Sequence, residues 1–388
     1  MRRLIVIPFN CPWSWSTDYL NQTAFELARR GNIIVCYLWG DSYTFTDLIS
    51  FKPFPKFISK HSQNIYLFYP AYLIPFRRFR FIESLNQVIN LIFIRLFAEV
   101  ICFLRRCKSK VFWIFDPNLI HIYKYLGQRY HLVYDCVDFF ASGSKENIKM
   151  TLKNESDVCK SADLVVANSH VLVKHLKRLR KDVFLVPQGF RLEDFAKRKS
   201  FTPKKWPRWP IIGFVGAVSY RLDFTLLLNL AVRRAEWNFV IWGPKLESEK
   251  MTRKKRKMAE QFFMQKNVFY GSSVRKGEIP GIISNFDICM IPYDVSYNFN
   301  KYCFPMKFFE YLYFGKLIVS TDIKELELFS DFVKIGKTVE DWEIIIRKFL
   351  LNGGKNTRRT AARQLAMNNS WNRKVEAILL YFNSVVRS

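Results

Sequence analysis

Acidic side chains are scarce in this sequence: Asp and Glu number 33 against 61 Lys and Arg, a formal charge of +28. That imbalance asks for an anionic partner, whether nucleic acid, anionic lipid or a phosphorylated ligand. Metal-site spacing is missing as well. The eight cysteines form no CxxC pair and no spaced Cys/His set, which excludes an ordinary zinc site. The five histidines are scattered without a ligand pair, so His121 and His131 read as structural. No twenty-residue run is both apolar and free of charge. The longest apolar stretch, 85–106, carries Arg95 and Glu99 near its centre. It reads as a core helix on the first sheet or as an interfacial amphipathic helix rather than as a span. At the start, MRRLIVIPFN offers about six apolar residues before polar and turn residues intervene, too few for a signal-peptide core. It reads as a first buried strand, and the cysteines among apolar neighbours suit reduced thiols in the cytosol.

What is present in quantity is hydrophobic surface. Of 388 residues, 49% are hydrophobic and 17% aromatic, enough for large cores, and the length suits two domains of roughly 150–200 residues. The basic residues are dispersed, in FRRFRF (76–81), LRRCKSK (104–110), KHLKRLRK (174–181) and TRKKRK (252–257), instead of forming one tail. Dispersed basicity beside many Phe fits a protein lying on a membrane surface better than one gripping nucleic acid.

Short β-branched runs alternate with amphipathic helical stretches, the pattern of parallel sheets wrapped by helices. Strands are predicted at 3–9, 32–39, 64–70, 110–117, 131–138, 162–169 and 182–189. Gly31 ends the helix at 19–31. The segment KRKSFTPKKWPRWP (197–210) lacks periodicity and is the predicted linker. The alternation then restarts with PIIGFVGAV, WNFVIWG, NVFYG, FDICMIPY, KLIVST and FVKIG. The expectation is an α/β chain of two Rossmann-like, doubly wound domains. WNRKVEAILLYFNSVV places Trp371, Val375, Ile378, Leu379, Phe382 and Val386 on one stripe of a packed last helix.

The stretch FPMKFFEYLYFGKLIVST (304–321) keeps two charges, Lys307 and Glu310, in an otherwise apolar helix. Pro305 suits a first helical turn, so Lys307 stands where free backbone N–H groups favour a phosphate. Glu310, one turn on, could accept from the two hydroxyls of a ribose. The plainer reading is an i, i+3 ion pair on an exposed face. GFVGAVSYR (213–221) follows a strand and precedes a helix; Gly213 and Gly216 would let amides approach phosphate, with Arg221 adding charge. A plain tight turn explains two glycines equally well.

These blocks resemble the GT-B glycosyltransferases of the broad family-4-like group. PMKFFEYLYFGKLIVST is similar to their PxKxxEYxAxGxPVV segment. ADLVVANSHVLVKHL…DVFLVPQGFRLEDF, IIGFVGAVSYRLDFTLLLNLA and NVFYGSSVRKGEIPGIISNFDICMIPY resemble further blocks in the family's order, over nearly the whole chain. The resemblance implies a sugar moved from a nucleotide diphosphate donor, UDP first and GDP next, to an acceptor held between two domains. It divides the chain into an acceptor-binding domain (1–196), a linker (197–210), a nucleotide-sugar domain (211–368) and a last helix (369–388), with a return to the first domain as one option. Donor phosphates are expected between Lys307 and the glycine loop, and the nucleobase against Phe269, Tyr270 and Gly271.

YDCVDFFASGSKE (134–146) sits where a strand meets the ligand edge of such sheets and is similar to a "YDcvDd" segment of the same relatives. Asp138 is the candidate base that deprotonates an acceptor hydroxyl if inversion is the mechanism; a turn cap is the alternative. Trp13 and Trp15 could stack on a sugar face, touch lipid or pack in the core, and Asp116 is a weaker acceptor-side candidate. One departure stands out: many retaining relatives carry a glutamate eight positions before Glu310, and here it is Tyr302. No Asp-x-Asp pair occurs, so a metal-chelated diphosphate has no support; no metal and no cofactor beyond the nucleotide sugar are expected. The expected partners are that donor, a lipid-linked saccharide or surface-polysaccharide precursor and an anionic membrane, without nucleic acid, at the cytoplasmic face of the plasma membrane. Rival readings are a sugar-nucleotide epimerase of the same fold, a nucleic-acid-binding protein and a catalytically silent membrane-associated relative.

Overall fold

The computed structural model describes residues 2–11, 13, 18–38, 43–51, 57–76, 78–127, 129–141, 145–196, 206–246, 248–353 and 356–387. Trp15 and most of the predicted linker, 197–205, lie outside these residues. The chain forms two compact units: Met1–Asn168, Leu172–Val186 and Val375–Ser388 in the first, Ser169–Val171 and Pro187–Lys374 in the second.

The first unit holds β1 (Arg3–Phe9), β2 (Ile33–Leu38), β3 (Tyr43–Thr44), β4 (Ile58–Ser62), β5 (Ile65–Phe68), β6 (Ala71–Tyr72), β7 (Ser109–Ile114), β8 (His131–Cys136), β9 (Leu164–Ala167) and β10 (Phe184–Leu185). Eight of them form one sheet in the order β10-β9-β8-β7-β1-β2-β5-β4, and β3 and β6 pair separately. All neighbours in the large sheet are parallel except β4 against β5. Helices cover both faces, so β2 and β9 are buried at every position and read as unbroken apolar runs. The antiparallel β4, with exposed Lys60, His61 and Ser62, carries no such run, which is why sequence alone missed it. Residues of the last helix (Trp371–Arg387) from Val375 onward belong to this unit. Phe382 meets His131 edge-on at 5.7 Å and Tyr381 stacks on Phe184 at 4.4 Å. Val386, placed on the buried stripe by its period, is exposed instead, in the last turn of the helix.

The second unit holds β11 (Ile211–Val215), β12 (Asn238–Trp242), β13 (Val268–Gly271), β14 (Ile288–Ile291), β15 (Leu317–Ser320) and β16 (Val333–Ile335). The sheet is wholly parallel and ordered β13-β12-β11-β14-β15-β16. From β11 the chain builds outward to β13, then returns to build the other way from β14. That reversal opens a crevice beyond the carboxyl ends of β11 and β14, the usual ligand position in open α/β sheets. In the first unit the equivalent reversal lies between β1 and β7.

Candidate active site

The helix Lys307–Tyr313 packs on the second sheet through Phe308, Phe309, Tyr311, Leu312 and Tyr313, all buried. The Tyr311 hydroxyl accepts from the Val215 amide at 3.2 Å, pinning the helix to the end of β11. Gly315, at φ +64°, closes the turn into β15. Lys307 and Glu310 remain half-buried.

Gly216 and Lys307 are brought together. A Cβ on Gly216 would stand 2.2 Å from Lys307 Cε and 2.6 Å from Nζ, so the lysine passes directly over the bare glycine. Gly216 also has φ +151°, a backbone other residues rarely adopt. The Lys307 ammonium donates to the Tyr293 hydroxyl at 3.4 Å, just beyond β14. Arg221 reaches the same ring, 4.8 Å from its centroid, with its Nε donating to Asn300 Oδ1 at 2.8 Å. Its plane also lies 4.6 Å from the centre of Phe299. Burial pulls the Lys307 pKa down, but the charges of Tyr293 and Glu310 outweigh it and leave the group above its ordinary value. Arg221 opposes that rise, as a second cation nearby must. Two cations thus meet at one tyrosine, with Glu310 the carboxylate that favours the charge on Lys307.

Gly213 is a correction to the sequence reading. It stands inside β11, paired with Val240 and Cys289, and not in the loop. A Cβ there would lie 2.2 Å from the Phe286 ring, so the bare position makes room for an aromatic side chain and offers no amide to phosphate. The partner of Gly216 is Gly243, at the end of β12, where a Cβ would lie 2.1 Å from the Gly216 oxygen. From there the site continues to β13. Gly243 N–H donates to Gly271 O at 3.0 Å, and the Tyr270 hydroxyl donates to Gly243 O at 2.9 Å. Phe269 and Tyr270 are partly exposed on this edge strand, and Gly271 is bare because Trp242 lies against it. Tyr302 ends the short helix Asn298–Lys301.

On the first unit, Asp116 and Asp138 lie beyond β7 and β8. Asp116 caps the turn Pro117–Leu119 by accepting from Asn118 N–H at 2.9 Å, and its other oxygen accepts from Asn10 Nδ2 at 3.2 Å, across the reversal between β1 and β7. Tyr19 lies within electrostatic reach of both acids and hydrogen-bonds Asn10. Burial foremost, then the charges of Asp138, Cys11 and Asp116, push its phenol far above the ordinary value, so it remains a proton donor. Trp13 packs among Phe9, Phe25 and His61, with ring centroids 5.4, 5.7 and 4.9 Å away. Its half-buried ring therefore sits in an aromatic cluster at the edge of the unit. Among the described residues no cluster of three or more His, Cys, Asp or Glu is arranged to hold a metal.

Residues 196–362, which contain the whole Lys307–Gly216–Tyr270 constellation, match the family described as glycosyl transferases group 1. That match covers less than half of the 388 residues and, with the likenesses that follow, supports a group 1 glycosyltransferase. It is 24% identical over 270 residues to TuaH of Bacillus subtilis, named as a teichuronic acid biosynthesis glycosyltransferase; the match covers 64% of this chain and 66% of that protein's length. Its fold, of the GT-B class, is that of sucrose-phosphate synthase from Thermosynechococcus elongatus, at TM-score 0.72 and 12% identity over all of both chains. Anabaena HepE in complex with UDP-glucose superposes at TM-score 0.66 and 12% identity, over 99% of this chain and 100% of that one.

Proposed function

We infer that this glycosyltransferase takes a UDP-sugar as donor and passes the sugar to a lipid-linked saccharide or surface-polysaccharide precursor, without a metal ion. The observation that carries the donor half is the convergence of Lys307 and Arg221 on Tyr293 beside Gly216. A pyrophosphate there would meet two cations and the backbone of a glycine turn, which supplies the charge that a divalent ion otherwise would. Lys307, held above its ordinary pKa, stays cationic across the neutral range. Glu310, one turn along, is the acceptor for ribose hydroxyls, and the β13 edge at Phe269–Gly271 takes the base. The solved relative holding UDP-glucose supports UDP over other carriers.

Asp138 is the proposed base toward the acceptor hydroxyl, with Tyr19 and Asp116 beside it as hydrogen-bonding neighbours of the sugar. The named role of TuaH supports a cell-surface polysaccharide as the product. The charge of +28 supports work at an anionic membrane surface, from the cytoplasmic side where nucleotide sugars are made. A thermal-shift panel of UDP-, GDP-, ADP- and dTDP-sugars on wild type, Lys307→Ala and Glu310→Ala tests the donor site. UDP-sugars are expected to raise the melting temperature of wild type alone. Equal stabilisation of both variants would remove the site, and a shift only with another base would remove UDP.

A further inference from the structure

The helix Arg80–Leu104 is long and apolar, and its two faces have different fates. One face is held to the first unit: Leu91, Ile94 and Ala98 enter the core, and Asn90 clamps the Ala71 backbone, accepting from its N–H at 2.8 Å and donating to its carbonyl at 2.7 Å. The opposite face is left exposed by the described residues. Phe81, Leu85, Ile92, Leu96 and Phe103 succeed one another at spacings of four and seven residues, a single stripe along the helix. Phe81 is 77% exposed, Leu96 57% and Phe103 83%. Such a stripe on a soluble surface marks an interaction site.

Two further features bear on what covers it. Exposed basic residues stand at both ends, Arg78 and Arg80 before the stripe and Arg106 and Lys108 after it. Secondly, the described non-glycine residues with left-handed backbone are Phe51, Phe76 and Arg106. The last two bracket this helix, and Phe51, 94% exposed, ends the short helix that follows β3, whose partner β6 is clamped by Asn90. Glycine or asparagine would suit such turns with less strain. Bulky and basic side chains held there at a backbone cost, and directed to solvent, point to a ligand outside the molecule.

We propose that this face docks in the plane of an anionic lipid bilayer, the apolar stripe entering the headgroup–acyl boundary while the flanking arginines and lysine meet lipid phosphates. The inference rests on the membrane reading above and assigns it a place. A span across the bilayer is the wrong geometry, because the clamped face would have to leave the core and strand Asn86 and Asn90 in hydrocarbon. A second copy of this chain, itself at +28, would meet the stripe but bring like charge against the basic residues at both of its ends. Lipid satisfies both chemistries at once.

Flotation of the full chain with vesicles of equal parts phosphatidylcholine and phosphatidylglycerol, against phosphatidylcholine alone, tests this. Wild type is expected to float with the anionic vesicles and less so at high salt. Phe81→Ser, Leu96→Ser and Phe103→Ser combined is expected to lower partitioning by at least ~10²-fold, since each large apolar group contributes about tenfold. All three positions are exposed, so the melting temperature should match wild type. Arg78→Gln and Arg106→Gln, leaving the stripe intact, should each lower it about fivefold. Wild type and the triple variant floating alike would overturn the assignment of this face and leave the membrane reading standing. Wild type ignoring both vesicles would remove both. A wild-type dimer that the triple variant turns monomeric, with flotation unchanged, would reassign the face to a second copy.

Discussion

At the reversal of the first sheet stand two carboxylates and a phenol; at that of the second stand a lysine and an arginine. The two crevices arise from the same topology, a parallel sheet built outward from one strand and then from its neighbour, yet they are chemically opposite. In the second unit the charges are locked. Lys307 lies over Gly216, Arg221 is held by Asn300 and two rings, and both meet at Tyr293. In the first, Asp116 is committed to a turn and to Asn10, while Asp138 follows the strand end half-buried beside Tyr19. The difference teaches that topology selects the place of a ligand and side chains select its charge. Rigid cations suit a pyrophosphate that must be held still, and a carboxylate suits a hydroxyl that must lose its proton.

The sharpest way to break this division is Asp138→Asn. Turnover, followed as UDP release with a saccharide acceptor, should fall about 10²–10⁴-fold. The melting-temperature rise with UDP-sugar should persist. Loss of both together would show that Asp138 serves the donor or the fold, and the contrast between the units would fail. Gly216→Ala should lower turnover too, but through the donor. The added methyl collides with Lys307 and must push the ammonium away from Tyr293, so turnover should drop by up to ~10²-fold with donor stabilisation lost as well. Unchanged donor binding would mean that Lys307 does not need this seat. The smallest effect separates two glycines three residues apart. Gly213→Ala should destabilise the second unit by about 1–3 kcal/mol through overpacking on Phe286, measured by denaturant unfolding, with activity per folded molecule kept. Loss of donor binding at full stability would instead place Gly213 at the donor phosphates.

Much of this site was legible in one dimension. Lys307 and Glu310 announce themselves because charges three apart in an aromatic helix are costly unless something needs them. Gly216 is marked by its place between a strand and a helix. Tyr293 and Tyr19 left no comparable trace: a tyrosine beyond an apolar strand is an ordinary half-buried residue until another element brings charges to its ring. The same limit explains Gly213. Whether a glycine serves a ligand or a neighbouring ring depends on Phe286, seventy-three positions away.

Local pattern was sufficient for the alternation of strands and helices, because burial on both faces of a parallel sheet imposes unbroken hydrophobic stretches. It was also sufficient for the excess of positive charge, which is a sum and needs no geometry. Tertiary structure alone decided which cations meet, since Arg221 and Lys307 share a ring only after β11 and β14 become neighbours. It alone split the helix Arg80–Leu104 into a buried and a bare face, because a mostly apolar helix looks the same all round until its unit covers one side of it.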